Sequence, residues 1–366
     1  MRKSTPTPTA QLEKVQTQVN LIGNVDSNCP AYWDASNNFY IFNSLEAWSP
    51  PASTASIKLP YRTMGPNIFN LNPATHTGVH TNTDPIPIKG KPRVKSNWIE
   101  AVIPYGGALY GWYHRELIGL CASGPQPNLA VPKIGAAVSQ DGGLNWTDMG
   151  EIITAPGVVD CHSQNRFFAG GNGDFSVILD PPQPGLPTDP TPQYAYFLFS
   201  SYGGKVSEQG VAVARMAWAD RDHPQGRVWK WDQGSFSSPG LGGTLTPTFR
   251  PEASWMSANP DGFWGPSIHW NTSVNQWVIL LNRVLDGVAF DQRGVYISFS
   301  PNLADALSWS EPVRILKPKK FITCSTDCWY PQVIGDPAIH GTDKVAGQRS
   351  RFFLRGVSVY ELVVSF

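Results

Sequence analysis

Five successive units of short apolar strands, divided by turns rich in glycine and proline, predict an all-β fold for this chain of 366 residues: a five-bladed β-propeller. Three observations carry the expectation. The 34 Gly and 33 Pro residues interrupt the chain too often for long helices, and no segment of any length shows a helical period. Aromatic residues make up 12% and charged residues only 15%, against roughly 25% charged in an average soluble domain, which favours short, packed strands. Leading strands recur near residues 30, 99, 175, 266 and 331, spacings that each accommodate one four-stranded sheet with its loops.

The first unit is NCPAYWDASNNFYIFNS (28–44). The second is SNWIEAVIPYGGALYGWYHRE (96–116), continued by KIGAAVSQDGGLNWTDMGEII (133–153). The third runs from 174 to 220 and the fourth from 264 to 316, where NLADALSW (302–309) is at most a turn of helix. The fifth, 329–366, shows only three strands. KVQTQVNLIG (14–23) alternates apolar and polar residues and is expected to supply the missing outer strand, closing the ring and removing exposed edges. Residues 1–12 are expected to be a disordered tail, and 13–366 a single propeller domain.

Lys plus Arg equals Asp plus Glu at 28 each, so no basic field exists to hold nucleic acid or an anionic membrane. A neutral, aromatic-rich chain suits an uncharged polar ligand, and a carbohydrate is the expected partner. No apolar run approaches the roughly 18 residues of a membrane span. The start, MRKSTPTPTAQLEKVQTQ, lacks the apolar core of a signal peptide. The protein is expected to be secreted or periplasmic with its leader absent, the cytoplasm being the alternative. The five cysteines (Cys29, Cys121, Cys161, Cys324, Cys328) leave at least one thiol free or paired between molecules. Cys324 and Cys328 are near enough in sequence to bridge. No group of residues has metal-ligand spacing in sequence; no cofactor is expected, beyond at most a structural calcium ion. Nothing in the sequence sets the oligomeric state.

In a propeller the first strand of each blade lines the central channel, so residues at its start converge from all blades. These positions are Asp26 to Tyr32 in blade one, Trp98 and Glu100 in blade two, Asp174 in blade three, Trp264 in blade four, and Trp329 and Tyr330 in blade five. Carboxylates among aromatics suit a sugar: rings stack on its apolar face, and two carboxylates supply acid and base or nucleophile. Glu100, within the apolar WIEAVI, and Asp174, after GGNG, are the expected catalytic pair, with Glu208 a third candidate. Each also has a plain structural reading: Glu100 as a paired buried carboxylate, Asp174 as a turn cap, Glu208 as a solvated loop residue. Asp26, Tyr32, Trp98, His114, Arg115, Asp160, His162, Trp264, His269, Trp329 and Tyr330 are the expected substrate contacts. No G-x-S-x-G elbow, Cys/His signature, H-E-x-x-H or phosphate loop is present.

Ser139-Gln140-Asp141-Gly142-Gly143-Leu144-Asn145-Trp146 matches the S-x-D-x-G-x-x-W Asp box of sialidases and other propellers, a hairpin turn remote from catalysis. SFSPNLADALSWSEP in blade four is a degenerate relative. More broadly the chain resembles the five-bladed glycoside hydrolases of the arabinanase/β-xylosidase type, over about residues 25–320, as a divergent subfamily. Asp174–Asp180 resembles the segment whose leading Asp tunes the general acid in that family. Trp264-Gly265-Pro266 resembles its E-G-P segment, with Trp264 in place of the acid, and Cys29-Pro30 stands where the family has an Asp-Pro carrying the base. The resemblance implies a glycoside hydrolase on a neutral polysaccharide or oligosaccharide, its acid and base relocated to Glu100, Asp174 and Asp26 or Glu208. A non-catalytic carbohydrate-binding propeller is the alternative, and a polysaccharide lyase a weaker one.

Overall fold

Five sheets, antiparallel apart from one short parallel edge strand in each of two, account for the strands of the computed structural model, which describes residues 7–21, 25–44, 60–80, 93–157, 159–180, 193–317 and 328–366. Blade one comprises Ala31–Trp33, Phe39–Asn43, Tyr61–Gly65 and Thr75–His76. Blade two comprises Arg93–Tyr105, Ala108–Ile118, Val131–Ser139 and Asn145–Ile153, with Gly78–His80 added in parallel on its outer edge. Blade three runs through Asn172–Asp180, Tyr194–Ser201, Gly210–Ala217, Val228–Asp232 and Ser235–Pro239. Blade four holds Phe263–Asn271, Gln276–Val284, Gln292–Ser300 and Val313–Leu316, and blade five Gln332–Gly335, Arg349–Leu354 and Val357–Ser365. The five leading strands lie where the sequence places them. No α-helix occurs among the described residues, only single 3₁₀ turns.

The strands read as nearly unbroken apolar runs because each blade is covered on both faces. Five apolar clusters fill the five inter-blade spaces. Trp112, Phe175, Phe197 and Met216 lie between blades two and three, and Ile178, Tyr196, Ile268 and Trp277 between three and four. Leu280, Val333, Phe352 and Leu362 lie between four and five, Trp33, Ile41, Ile334 and Phe353 between five and one, and Phe42, Val102, Tyr113 and Trp146 between one and two. Each large buried side chain contributes about 1.5–3 kcal/mol of hydrophobic stabilisation, so these spaces are the fold's main support.

The outer strand of blade five is Thr9–Asn20, antiparallel to Val357–Ser365 from Thr9 opposite Ser365 to Asn20 opposite Val357. Thr9 to Leu12 therefore belong to a sheet, not to a disordered tail. Ala10 and Leu12 pack on the core between blades four and five, and the unpaired backbone of 357–365 takes the partner it lacks. Residues 1–6 lie outside the described residues.

The seam between blades five and one is polar and reciprocal. The Gln332 amide accepts from Cys29 N–H (2.6 Å) and donates to Cys29 C=O (2.9 Å). Ala31 N–H donates to Asp343 (2.9 Å), and the Trp33 indole to Gly341 C=O (3.1 Å). Gln332→Leu strands two buried backbone groups and is expected to cost about 2–4 kcal/mol, measured by denaturant unfolding; an unchanged midpoint would remove the amide from the seam's account.

The Asp box forms the turn between the third and fourth strands of blade two. Ser139 Oγ donates to Asp141 (2.8 Å), whose carboxylate accepts from Leu144 N–H (3.1 Å) and Asn145 N–H (3.0 Å), while Trp146 is buried. Its degenerate counterpart occupies the same turn of blade four, between Gln292–Ser300 and Val313–Leu316.

Cys121 and Cys161 form a disulfide, Cys29 is the buried free thiol, and Cys328 is disulfide-bonded to a partner outside the described residues, where Cys324 also lies. No helix among the described residues is long and apolar enough to cross a membrane.

Candidate functional site

Glu100, His114 and Asp174 meet at the end of the channel where the inner strands begin, and all three are buried (0%, 0% and 1% exposed). Two β-bulges put the carboxylates there. The register between the first two strands of blade two shifts between Ile99 and Ala101, and that of blade three between Gly173 and Phe175. Glu100 and Asp174 are thus the extra, unpaired residues of their strands, and a bulge re-aims such a side chain. Asp174 is left-handed (φ 42°), an unusual state for a residue with a Cβ. Gly173 before it must be glycine: a Cβ there would stand 2.7 Å from His114 Cε1 and 2.6 Å from the Pro132 Cβ.

His114 sits between the carboxylates, Nδ1 lying 3.5 Å from Glu100 Oε1 and 3.6 Å from Asp174 Oδ1, with Nε2 3.8 Å from Glu116. The Trp98 ring lies 5.4 Å away. The Asp174 N–H donates to Nδ1 (2.9 Å), and the Phe175 N–H to Glu100 Oε2 (2.8 Å). Asp174 is clamped by two phenols, Tyr202 donating to Oδ2 and Tyr330 to Oδ1 (2.8 Å). Burial, reinforced by the charge of Asp174, pushes both phenols well above the usual tyrosine range, so they remain donors. Tyr330 is itself left-handed (φ 53°).

Burial raises the Glu100 carboxyl from 4.5 to about 7, with Asp174 adding to the rise while His114 and the Phe175 N–H oppose it. For His114, burial disfavours the charged ring, but Asp174, Glu100 and Glu116 outweigh it and lift its pKa to about 9. The backbone pulls the other way: the Asp174 N–H needs a lone pair on Nδ1. In this arrangement the backbone bond decides, and the ring is neutral with its proton on Nε2. Uptake of a second proton would require the Asp174 amide to turn away.

Glu100, His114 and Asp174 each offer an atom within 4.8 Å of the other two, a convergence invisible in sequence spacing. They do not fit a metal ion as arranged. His114 Nδ1 and both Asp174 oxygens are already acceptors, while Glu100 Oε1 and His114 Nε2 have no hydrogen-bond partner among the described residues.

Aromatic rings roof the site. Trp264 donates its indole N–H to Gln292 (2.8 Å) and packs 4.8 Å from Phe290 and 5.4 Å from Tyr330. Tyr202 stacks on Phe168 at 3.9 Å and meets Trp255 at 5.0 Å. Trp98, Trp264 and Tyr330, expected as open stacking platforms, are buried among protein groups; Trp329 is partly exposed. Asp26 (8% exposed) is near enough for its charge to act on Tyr330.

Other expected contacts lie elsewhere. Tyr32 stacks on Tyr40 (4.8 Å) and donates to Gly142 C=O in the Asp box (3.3 Å), because its strand turns it into the space between blades one and two. Arg115, one residue from His114, faces the opposite side of the strand, 3.9 Å from Glu151. Asp160 caps its own loop by accepting from His162 N–H (2.9 Å), and His162 is exposed. Glu208 ends a 3₁₀ turn and its charge acts on Lys230, not on the trio. His269 is buried on the inner strand of blade four, held neutral by burial to about 3, with neither ring nitrogen hydrogen-bonded among the described residues. The sequence reasoning missed Tyr202, whose one signal was its place at the end of a second strand, and gave Glu116 no role.

No protein-family model matches the chain, and no curated protein matches it in sequence. Among solved structures, a family-43 β-1,3-galactosidase bound to galactodeoxynojirimycin superposes with a TM-score of 0.50 at 11% identity, over 93% of this chain and 90% of that one. An exo-β-1,3-galactanase from Phanerochaete chrysosporium with β-1,3-galactotriose gives 0.47 at 13% identity, covering 98% of this chain but only 64% of that one. An endo-arabinase from Bacteroides thetaiotaomicron gives 0.48 at 10% identity, over 93% of each chain. The chain shares its five-bladed propeller fold with the family-43 β-1,3-galactosidase.

Proposed function

We propose that the protein is a glycoside hydrolase acting on a neutral glycan. One observation chiefly supports this reading: two buried carboxylates from different blades, Glu100 and Asp174, meet with His114 between them, each offering an atom within 4.8 Å of the others. In the proposed mechanism Glu100, whose carboxyl burial raises to about 7, is the acid that in its protonated form donates to the glycosidic oxygen. Asp174, held by two phenols, acts as a fixed negative charge beside Glu100 and His114. Asp26, the most exposed of the three, is the base that takes the proton of the attacking water. Glu100 and Asp174 are too close to flank a water themselves, since an inverting pair stands roughly 6.5–9.5 Å apart. The disulfides support an exported protein, because such bonds persist in oxidising compartments.

A glycan-binding propeller without turnover is the second reading, favoured by Trp264 and Cys29 at the positions where related hydrolases carry acid and base. The test is to incubate the protein with β-1,3-galactan, 1,5-α-arabinan and their oligosaccharides, measuring released reducing sugar alongside binding by calorimetry. Release abolished by Asp26→Asn supports hydrolysis; binding with no release sinks it in favour of the second reading.

A further inference from the structure

Glu100, His114, Asp174 and the ring layer above them are all buried, so a ligand reaches them only if part of the roof moves. The rings of that roof are not equally anchored. The Tyr202 and Tyr330 hydroxyls hold Asp174, and the Trp264 indole holds Gln292. Phe168 lies in a loop fixed by the Asn165 side chain, which accepts its N–H (3.1 Å), and by the Cys121–Cys161 disulfide. Phe290 stands instead on the hairpin between Gln276–Val284 and Gln292–Ser300. Its ring is surrounded by those of Phe167, Phe168, Trp255, Trp264 and Trp329, with centroids 4.7–6.0 Å away.

The hairpin is seated by Gly287 N–H on Ala258 C=O (2.9 Å), Arg166 N–H on Gly287 C=O (2.8 Å) and the Trp329 indole on Phe290 C=O (3.0 Å). Leu285 and Val288, beside those bonds, are exposed (42% and 43%). Phe290 is left-handed (φ 58°), a strained state for so bulky a residue, and strain of this kind gathers at ligand clamps and switches. Lifted out, its ring leaves a recess the size of one six-membered ring, walled by Trp255, Trp264 and Trp329. Trp255 is fully buried, yet its indole N–H has no hydrogen-bond partner among the described residues. A buried donor left unpaired is costly, and a hydroxyl arriving beside it removes that cost. Aromatic walls with a waiting donor are the chemistry that holds a sugar ring.

We infer that residues 285–291 form a lid, and that raising it opens a hidden aromatic recess for one sugar residue of a neutral glycan. The recess lies behind both phenols that clamp Asp174, since Trp264 packs on Tyr330 (5.4 Å) and Phe168 on Tyr202 (3.9 Å). The identity of the ligand rests on the glycan reading above; the motion of the lid does not.

Hydrogen exchange of the intact protein at low denaturant, followed by mass spectrometry, reads the lid directly. The Gly287 and Arg166 amides should exchange through a local opening, on the order of 100-fold faster than those of the core strand Asn172–Asp180. Exchange of both amides only together with that strand means that the roof opens when the whole ring unfolds, and overturns the lid. Gly287→Ala should loosen the seat, because the added Cβ would stand 3.1 Å from Pro260 Cδ and 3.2 Å from the Asn165 Cβ. Phe290→Ala empties the recess outright. A ligand that binds only the open state is weakened by the closed fraction, so both variants should bind β-1,3-galacto- or 1,5-α-arabino-oligosaccharides more tightly in calorimetry. For Gly287→Ala the gain should equal the gain in exchange rate, roughly 5- to 10-fold. Unchanged affinity in Phe290→Ala, or faster exchange without tighter binding in Gly287→Ala, overturns the recess. No glycan binding by any of the three proteins overturns the glycan reading itself, and exchange alone then decides the lid.

Discussion

Glu100→Gln is expected to lower glycan hydrolysis by roughly 10²- to 10⁴-fold, the range for removing a positioned acid, while the protein still folds. The amide keeps the shape of the side chain and an acceptor for the Phe175 N–H, so what disappears is the proton. Wild-type turnover should decline as pH rises through about 7, where Glu100 ionises. The same substitution has a signature that needs no substrate. A carboxyl raised from 4.5 to about 7 holds in the folded state a proton the unfolded chain has already lost. Its contribution to stability is therefore full below pH 4.5 and gone once pH passes 7, a change of about 3 kcal/mol at most. Glutamine does not titrate. The variant should gain on wild type between pH 4 and pH 8 in thermal melts; parallel pH profiles of the two proteins would falsify the assignment of a protonated Glu100.

Asn28→Asp should produce the largest loss of stability. One amide nitrogen, buried, serves two backbone carbonyls from different blades. Aspartate has no N–H to offer and brings a carboxylate against both carbonyl oxygens. Two stranded carbonyls and a buried charge together should cost about 4 kcal/mol or more. For a chain of this length that is a fall in melting temperature of roughly 5 °C. Calorimetric melts of the two proteins decide the matter, and a difference within measurement error would mean that blades three and four do not depend on this bond.

The blades were legible because turns and apolar runs are local features, and the inner strands follow from counting them. Glu100, Asp174 and Tyr330 were legible for the same reason, since leading strands can be counted, and His114 because it directly follows the apolar run ALYGWY. The bulges were harder. Gly173 hints at one before Asp174, but nothing in WIEAVI marks Glu100 as an inserted residue, and simple alternation gives no reason for it to face the channel. Tyr32 and Arg115 were misplaced because a position near the pocket along the chain says nothing about which side of the strand a side chain takes. The burial of Trp264 was out of reach, since it depends on Phe290, contributed by a hairpin of blade four, and Tyr330 is covered in turn by Trp264.

The pairing of residues 9–20 with 357–365 bears on how the chain assembles. Blades two, three and four are built from hairpins between neighbouring segments and can form as soon as those segments exist. The fifth sheet joins strands almost the whole chain apart, and such contacts are slow to find because the loop they close is so long. Until the clasp shuts, Val357–Ser365 is a bare sheet edge able to recruit a strand from another molecule. The vulnerable species is an otherwise folded ring left unfastened, so conditions that loosen the N-terminal strand favour aggregation before they unfold the site.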